Sequence, residues 1–78
     1  MILLDKIKRK GDMVEVYVKS MDRWPPQYYK MVFNYKTREY ECTIDNPEPF
    51  DVHKIMYKLA MYIKKKKRLP KVDSIYWG

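Results

Sequence analysis

Cysteine and histidine are almost absent from this sequence, which holds one of each, Cys42 and His53, among 78 residues. A single cysteine excludes an intramolecular disulfide scaffold and fits a reducing compartment. A metal site needs several ligands at compatible spacing, and these two residues are the only soft ligands available. One histidine and one thiol also leave few groups for acid–base catalysis. We therefore expect no metal, no cofactor and no catalytic residues.

The two scarce residues have simple structural interpretations. Cys42 alternates with Tyr40 and Ile44 at the spacing of a strand, which predicts a core position for its thiol. A nucleophilic thiolate would need a base or a cation nearby, and no motif supplies one. His53 falls near the start of a predicted helix on its polar side, so we expect an exposed side chain.

Long hydrophobic runs are also lacking. No apolar stretch approaches the roughly 20 residues that span a bilayer. The sequence opens with MILLDKIK, in which Asp5 interrupts an apolar run too short for the core of a signal peptide. We expect a cytoplasmic protein without a membrane span. The length predicts a single domain over residues 1–78.

The first half of the chain alternates with a period of two, the pattern of strands with one buried face. In MVEVYVKS, Val14, Val16 and Val18 share one face. The preceding ILLDKIK is also β-prone, and turn chemistry at Lys10-Gly11-Asp12 joins the two segments into a predicted hairpin.

A second hairpin follows the proline pair. Residues 28–35 (YYKMVFNY) and 39–44 (EYECTI) both alternate, and a polar loop at 36–38 separates them. Pro25 and Pro26 cannot donate to a strand ladder, so the segment before this hairpin is a loop. The predicted strands, all within residues 2–44, form an antiparallel meander of three or four strands.

The period changes to that of a helix after DNPEPF, and we predict a helix over about 51–68. One apolar stripe runs along it. We expect Asp51 as the N-cap, with Phe50 and Ile55 packed as a hydrophobic staple. We expect Pro70 to end the helix. The stripe consists of Val52, Ile55, Met56, Leu59 and Ile63.

The predicted fold class is α+β, a small antiparallel meander packed against one amphipathic helix. The C-terminal tail, 70–78, has two open interpretations. It either adds a short final strand or packs Ile75 and Trp77 against the core.

Positive charge is concentrated in one part of the chain, whose formal net charge is +7. Residues 51–71 carry eight cations against Asp51 alone, whereas residues 1–50 carry nine cations against eight carboxylates. Cations in a last helical turn stabilise any helix through its dipole, but that effect fades beyond the final turn. No acidic residues are placed one turn away to pair with the lysines.

This distribution favours a polyanion as partner, and DNA or RNA bound mainly without sequence specificity is the preferred hypothesis. An acidic protein surface and a simple solvated helix face are the alternatives. The exposed helix face also offers an aromatic ring for stacking. The predicted nucleic-acid contacts are Lys54, Tyr57, Lys58, Lys64, Lys65, Lys66, Lys67, Arg68 and Lys71.

The outward face of the sheet is the less favoured nucleic-acid surface. Its expected carboxylates, at Glu15, Glu39 and Glu41, would repel phosphates, and a sheet that reads RNA needs aromatic rings in a basic field. The same face is nevertheless expected to present Tyr17, Lys19, Tyr28 and Lys30.

A protein-interaction module is the hypothesis from a different class. An exposed aromatic–proline loop is a common protein contact, and Trp24, Pro25, Pro26 and Tyr28 form one here. An inhibitor or adaptor of viral or mobile-element origin, docking through this loop or a strand edge, would fit, as would a homodimer. Trp24 could equally cover the end of the sheet.

Overall fold

Five strands and one helix make up the fold in the computed structural model, which describes residues 1–22 and 24–76. The strands form one antiparallel sheet in the spatial order β4-β3-β2-β1-β5, and the helix packs on one face. The predicted α+β class is therefore confirmed, with one strand added at an edge. The elements are β1 (Ile2–Lys10), β2 (Met13–Ser20), β3 (Gln27–Asn34), β4 (Tyr40–Cys42), α1 (Pro49–Lys64) and β5 (Asp73–Ile75).

The core lies between the inner face of the sheet and the apolar stripe of α1. Alternate residues of β2 and β3 point inward, and the predicted stripe of α1 faces them, with Ile63 partly buried at its end. Period-two and period-3.6 patterns therefore identified the buried faces correctly. The buried apolar residues of β2, β3 and α1 are Val14, Val16, Val18, Tyr29, Met31, Phe33, Val52, Ile55, Met56, Leu59 and Ala60.

The predicted turn between β1 and β2 is a two-residue connection. Lys10 pairs with Met13 across it, so Gly11 and Asp12 form the loop. Gly11 has φ of +62°, which glycine adopts without steric cost. The Asp12 carbonyl oxygen accepts a hydrogen bond from the Tyr35 N–H at 3.0 Å, which ties this turn to the end of β3.

A β-bulge in β1 places Ile7 in the core, although strict alternation would expose it. Strict alternation after Ile2 and Leu4 would bury Lys6 and expose Ile7. The register with β2 instead shifts by one residue between Asp5 and Lys8, and Lys6 takes a left-handed conformation with φ of +49°. Ile7 is consequently buried in the core, and the Lys6 side chain lies at the surface.

The helix begins two residues before the predicted start, and Asp51 is not its N-cap. Glu48 occupies that position and caps no N–H with its side chain, while Pro49 starts the helix, where a missing N–H is harmless. Asp51 lies in the first turn and is buried. The Ser20 hydroxyl donates a hydrogen bond of 2.7 Å to its carboxylate, which joins the helix to the end of β2.

The helix ends at Lys64, four residues before the predicted end. Lys66 adopts a left-handed conformation with φ of +56°. Its N–H donates to the Ile63 carbonyl oxygen at 3.0 Å, and the Lys67 N–H donates to the Tyr62 carbonyl oxygen at 2.8 Å. This pair of bonds is a Schellman motif, built on lysine where glycine is usual.

The tail forms the short final strand that was one of its two interpretations, and it also packs Ile75 against the core, which was part of the other. Residues 73–75 pair antiparallel with β1, so that Ile2 lies opposite Ile75, and Ile75 is buried. The Ile7 N–H donates to the Lys71 carbonyl oxygen at 3.0 Å just before this pairing begins. Trp77 lies outside the described residues. Within the described chain, α1 is too short and too polar to cross a bilayer.

Candidate nucleic-acid interface

The segment that starts at the last residue of α1 carries the densest charge. We call residues 64–71, KKKKRLPK, the basic segment. Its six cations are all exposed, and in the described parts of the chain no carboxylate forms an ion pair with any of them. Because most of the basic segment lies beyond the helix, these side chains project from a turn and from irregular backbone, not from one helix face.

The outer side of α1 adds aromatic and apolar surface next to this charge. Tyr57 is 62% exposed, and the Lys54 ammonium lies 4.7 Å from the centroid of the Phe50 ring, within the range of a cation–π contact. An open groove of about 880 Å³ follows this side of the helix. Its lining includes His53, Tyr57, Met61, Lys65, Lys67 and Arg38.

Lys58 does not belong with the available cations, although the sequence placed it among the phosphate contacts. Its ammonium donates to the Asp73 carboxylate at 3.1 Å and to the Ser74 carbonyl oxygen at 2.6 Å. The Tyr62 hydroxyl donates to the other oxygen of Asp73 at 3.2 Å. Lys58 therefore fastens the helix to β5, and the candidate interface has one charge fewer than predicted.

His53 has the exposed environment expected of it, whereas Cys42 is less deeply buried than the predicted core position. His53 is exposed near the helix start. Cys42 is half-buried and packs against the core, and this burial raises the pKa of its thiol. A raised pKa keeps the thiol protonated at neutral pH and disfavours nucleophilic chemistry. Residues 1–22 and 24–76 contain no group of three or more side chains suited to a metal ion.

The outward face of the sheet carries an alternating array of tyrosines and lysines. The register of β2 with β3 places Tyr17 opposite Lys30, and Lys19 opposite Tyr28. Each lysine lies over the ring of its cross-strand partner, at 6.0 Å for Lys30 and 5.3 Å for Lys19. Lys6, at the β1 bulge, lies 5.3 Å from the centroid of the Tyr17 ring on its other flank.

One of the carboxylates that argued against this face is neutralised within it. The Lys30 ammonium lies 2.8 Å from the Glu15 carboxylate. This hydrogen bond holds the pKa of Glu15 below its ordinary value and raises the pKa of Lys30. Sequence reasoning counted Glu15 as a free negative charge because the pairing depends on the register of β2 with β3.

The aromatic–proline loop does not cover the sheet. Trp24 is 92% exposed, so its alternative role as a lid on the sheet end is wrong. Pro25 is exposed and Pro26 half-buried, while Tyr28 belongs to the outward face of β3 and not to the loop. The loop and the basic segment are thus separate candidate surfaces.

Comparison of the chain with protein-family models, with the curated proteins and with the solved structures finds no match. The functional proposal therefore rests on the residues and their geometry.

Proposed function

We propose that this protein is a small nucleic-acid-binding protein that contacts phosphates through the basic segment and has no catalytic activity of its own. The observation that carries the proposal is the exposure of six cations within eight consecutive residues, none ion-paired in the described chain. Cations crowded in this way repel one another, and an anionic partner relieves that repulsion. A nucleic acid does so and releases its condensed counterions.

Residues on the helix extend this contact surface. Tyr57 is exposed beside the basic segment, and Lys54 lies on the same outer side of α1. A tyrosine ring can pack on a sugar or a base between phosphate contacts. Phosphate contacts position a protein without reading sequence, so the binding is mainly non-specific. The cytoplasmic location predicted from the sequence stays a prediction.

Binding of labelled duplex DNA, single-stranded DNA and RNA at low salt tests this proposal, with two matched double variants. Lys65→Ser with Lys67→Ser removes two cations from the basic segment. Lys10→Ser with Lys36→Ser removes two exposed lysines from the hairpin ends and leaves the basic segment intact. Removal of one phosphate-binding cation should weaken binding roughly eightfold at about 0.1 M salt, since each contributes a slope near −0.9.

The first variant should therefore bind much more weakly, and the second should bind nearly as well as the unmodified protein. Absence of binding to every nucleic acid at low salt would refute the proposed function. Equal losses of affinity in the two double variants would refute the basic segment as the site and leave only a general charge effect.

A protein-interaction module is a second candidate, and the exposure of Trp24 favours it. The Trp24 side chain is 92% exposed. Tryptophan is enriched among the residues that contribute most of the binding energy at protein interfaces. Capture from a nuclease-treated lysate, compared between the unmodified protein and Trp24→Ala, tests this candidate. A partner retained by the first and not by the second would support it, whereas equal capture would exclude the loop.

A further inference from the structure

We infer that the tyrosine–lysine array on the outward sheet face, Tyr17, Lys19, Tyr28 and Lys30, stacks unpaired bases, so that the protein prefers single-stranded nucleic acid to duplex. This inference rests on the proposed function, because it assigns the class of nucleic acid to a surface that continues the basic segment. It concerns a different face of the molecule from α1, since the helix covers the inner face of the sheet.

The two tyrosine rings are placed for stacking. Tyr17 and Tyr28 are diagonal neighbours in the register of β2 with β3, and they are 42% and 60% exposed. Diagonal neighbours on one face of an antiparallel pair lie about 7–8 Å apart. A shallow depression lies between β2 and β3 at this place, lined by Tyr17, Val18, Lys19, Tyr28, Tyr29, Lys30 and Thr43. Two adjacent nucleotides can thus each meet one ring.

The charges around the rings suit a single strand. The outward face presents four lysines, two of them in the array, against the carboxylates of Asp5, Glu15 and Glu41. Glu15 is bound to Lys30, and Asp5 accepts a hydrogen bond from the backbone N–H of Lys6. A base stacked on Tyr17 or Tyr28 would displace the ammonium group that lies over the ring, and the flexible lysine side chain could then contact the phosphate of that nucleotide. The lysines are Lys6, Lys8, Lys19 and Lys30.

The β1 bulge connects this array to the basic segment. Lys71, the last cation of the basic segment, is held beside β1 by the hydrogen bond from the Ile7 N–H to its carbonyl oxygen. Lys6 precedes Ile7 and lies over the Tyr17 ring. A polyanion that leaves the basic segment at Lys71 therefore meets Lys6 and then Tyr17, and it passes Asp5, which lies opposite Tyr17.

A duplex cannot use this array, because its bases are stacked inside the helix and present only their edges. A single strand can splay its bases onto exposed rings, and this stacking tolerates any sequence because every base has a π-face. The protein should therefore prefer single-stranded nucleic acid to duplex, although both can contact the basic segment through phosphates.

Fluorescence anisotropy with a labelled single strand of about 16 nucleotides and with the matching duplex tests the inference. Tyr17→Ala and Tyr28→Ala remove the rings, while Tyr17→Phe and Tyr28→Phe keep them. Trp24→Ala is the control, because it deletes an exposed aromatic ring elsewhere. Circular dichroism melting of each variant establishes that it is folded at the temperature of the measurement.

We expect the unmodified protein to bind the single strand at least about tenfold more tightly than the duplex. Each alanine variant should bind the single strand about fivefold or more weakly, with little change for the duplex. The phenylalanine variants and Trp24→Ala should retain the preference. If both alanine variants unfold, Lys19→Glu replaces them. Loss of its preference for the single strand, with duplex binding unchanged, would support the inference. Retention of that preference would refute the inference.

Equal affinity for duplex and single strand, or a preference that survives removal of both rings, would overturn the inference and leave the proposed function standing. Binding to neither form would overturn the proposed function itself. The two failures are therefore distinguishable in one set of titrations.

Discussion

The Lys58 ammonium lies 3.1 Å from the Asp73 carboxylate, across the junction between α1 and β5. The pair is partly exposed at Lys58 and mostly buried at Asp73, and Tyr62 and Ser74 complete its hydrogen bonds. This relationship separates Lys58 from the six cations of the basic segment. Lys58 holds the tail on the sheet, whereas the basic segment stays available for an anionic partner.

Lys58→Ser and Lys65→Ser each remove one lysine, but the first should lower stability and the second should lower affinity for nucleic acid. Lys58→Ser leaves the Asp73 carboxylate without its cation, so we expect the free energy of unfolding to fall by about 1 kcal/mol with duplex affinity changed less than about twofold. Lys65→Ser should leave stability nearly unchanged and weaken binding. Urea unfolding and anisotropy titrations measure both quantities, and a large loss of affinity in Lys58→Ser would contradict the assignment.

The end of α1 offers a prediction on stability. Lys66 has φ of +56°, a conformation that costs a non-glycine residue about 1 kcal/mol, whereas Lys65 has φ of −87°. Lys66→Gly should therefore stabilise the protein by about 0.5–1 kcal/mol. Lys65→Gly, which removes the same charge one residue earlier, should destabilise it by about 0.5–1 kcal/mol. Thermal melting compares the two, and a stabilising Lys65→Gly would argue against the Schellman end.

The buried faces could be predicted from sequence, and the ends of the elements could not. Alternation at Val14, Val16 and Val18 is a local signal, because neighbouring side chains in a strand point to opposite faces. The bulge at Lys6 accompanies contacts distant in sequence. The helix end at Lys64 is a local motif, but its left-handed residue is a lysine, so no glycine marks it in the sequence. The hydrogen bond from Ile7 to Lys71 requires the chain to turn back before β5, and no local pattern records that requirement.

The buried hydrogen bond between Ser20 and Asp51 should be a sensitive point of the fold. Ser20→Ala leaves a carboxylate that is 4% exposed without the hydroxyl 2.7 Å away. We expect the free energy of unfolding to fall by about 1–3 kcal/mol. In a double-mutant cycle with Asp51→Ala, the combined destabilisation should be smaller than the sum of the single effects. Strict additivity in urea unfolding would show that the two groups do not interact.

The pairing of Glu15 with Lys30 predicts a pH dependence. Lys30 lowers the pKa of Glu15 below its ordinary value of 4.5, so the ionised form is favoured in the folded protein. The resulting stabilisation is present above that ordinary value and disappears as the pH falls through the lowered pKa. Carbon-detected NMR titration should find the lowered pKa, and Lys30→Met should return it toward 4.5. An unchanged pKa in Lys30→Met would contradict the pairing.

The sequence predicted where the cations of the candidate site lie, but not which of them are held in ion pairs within the protein. The basic segment was identifiable because its cations are consecutive. The role of Lys58 was not, since Asp73 lies 15 residues further along the chain and meets it only after β5 pairs with β1. The array on the outward face was visible as residues at positions 17, 19, 28 and 30. Its pairing, and the neutralisation of Glu15, follow from the strand register.

The salt dependence of duplex binding tests the central claim most directly. Each phosphate neutralised contributes about −0.9 to the slope of log affinity against log salt concentration. We expect a slope steeper than about −3 for the unmodified protein, shallower by nearly 2 for Lys65→Ser with Lys67→Ser, and unchanged for Lys58→Ser. A slope near zero, or one that the removal of Lys65 and Lys67 does not alter, would contradict the basic segment as the phosphate-binding site.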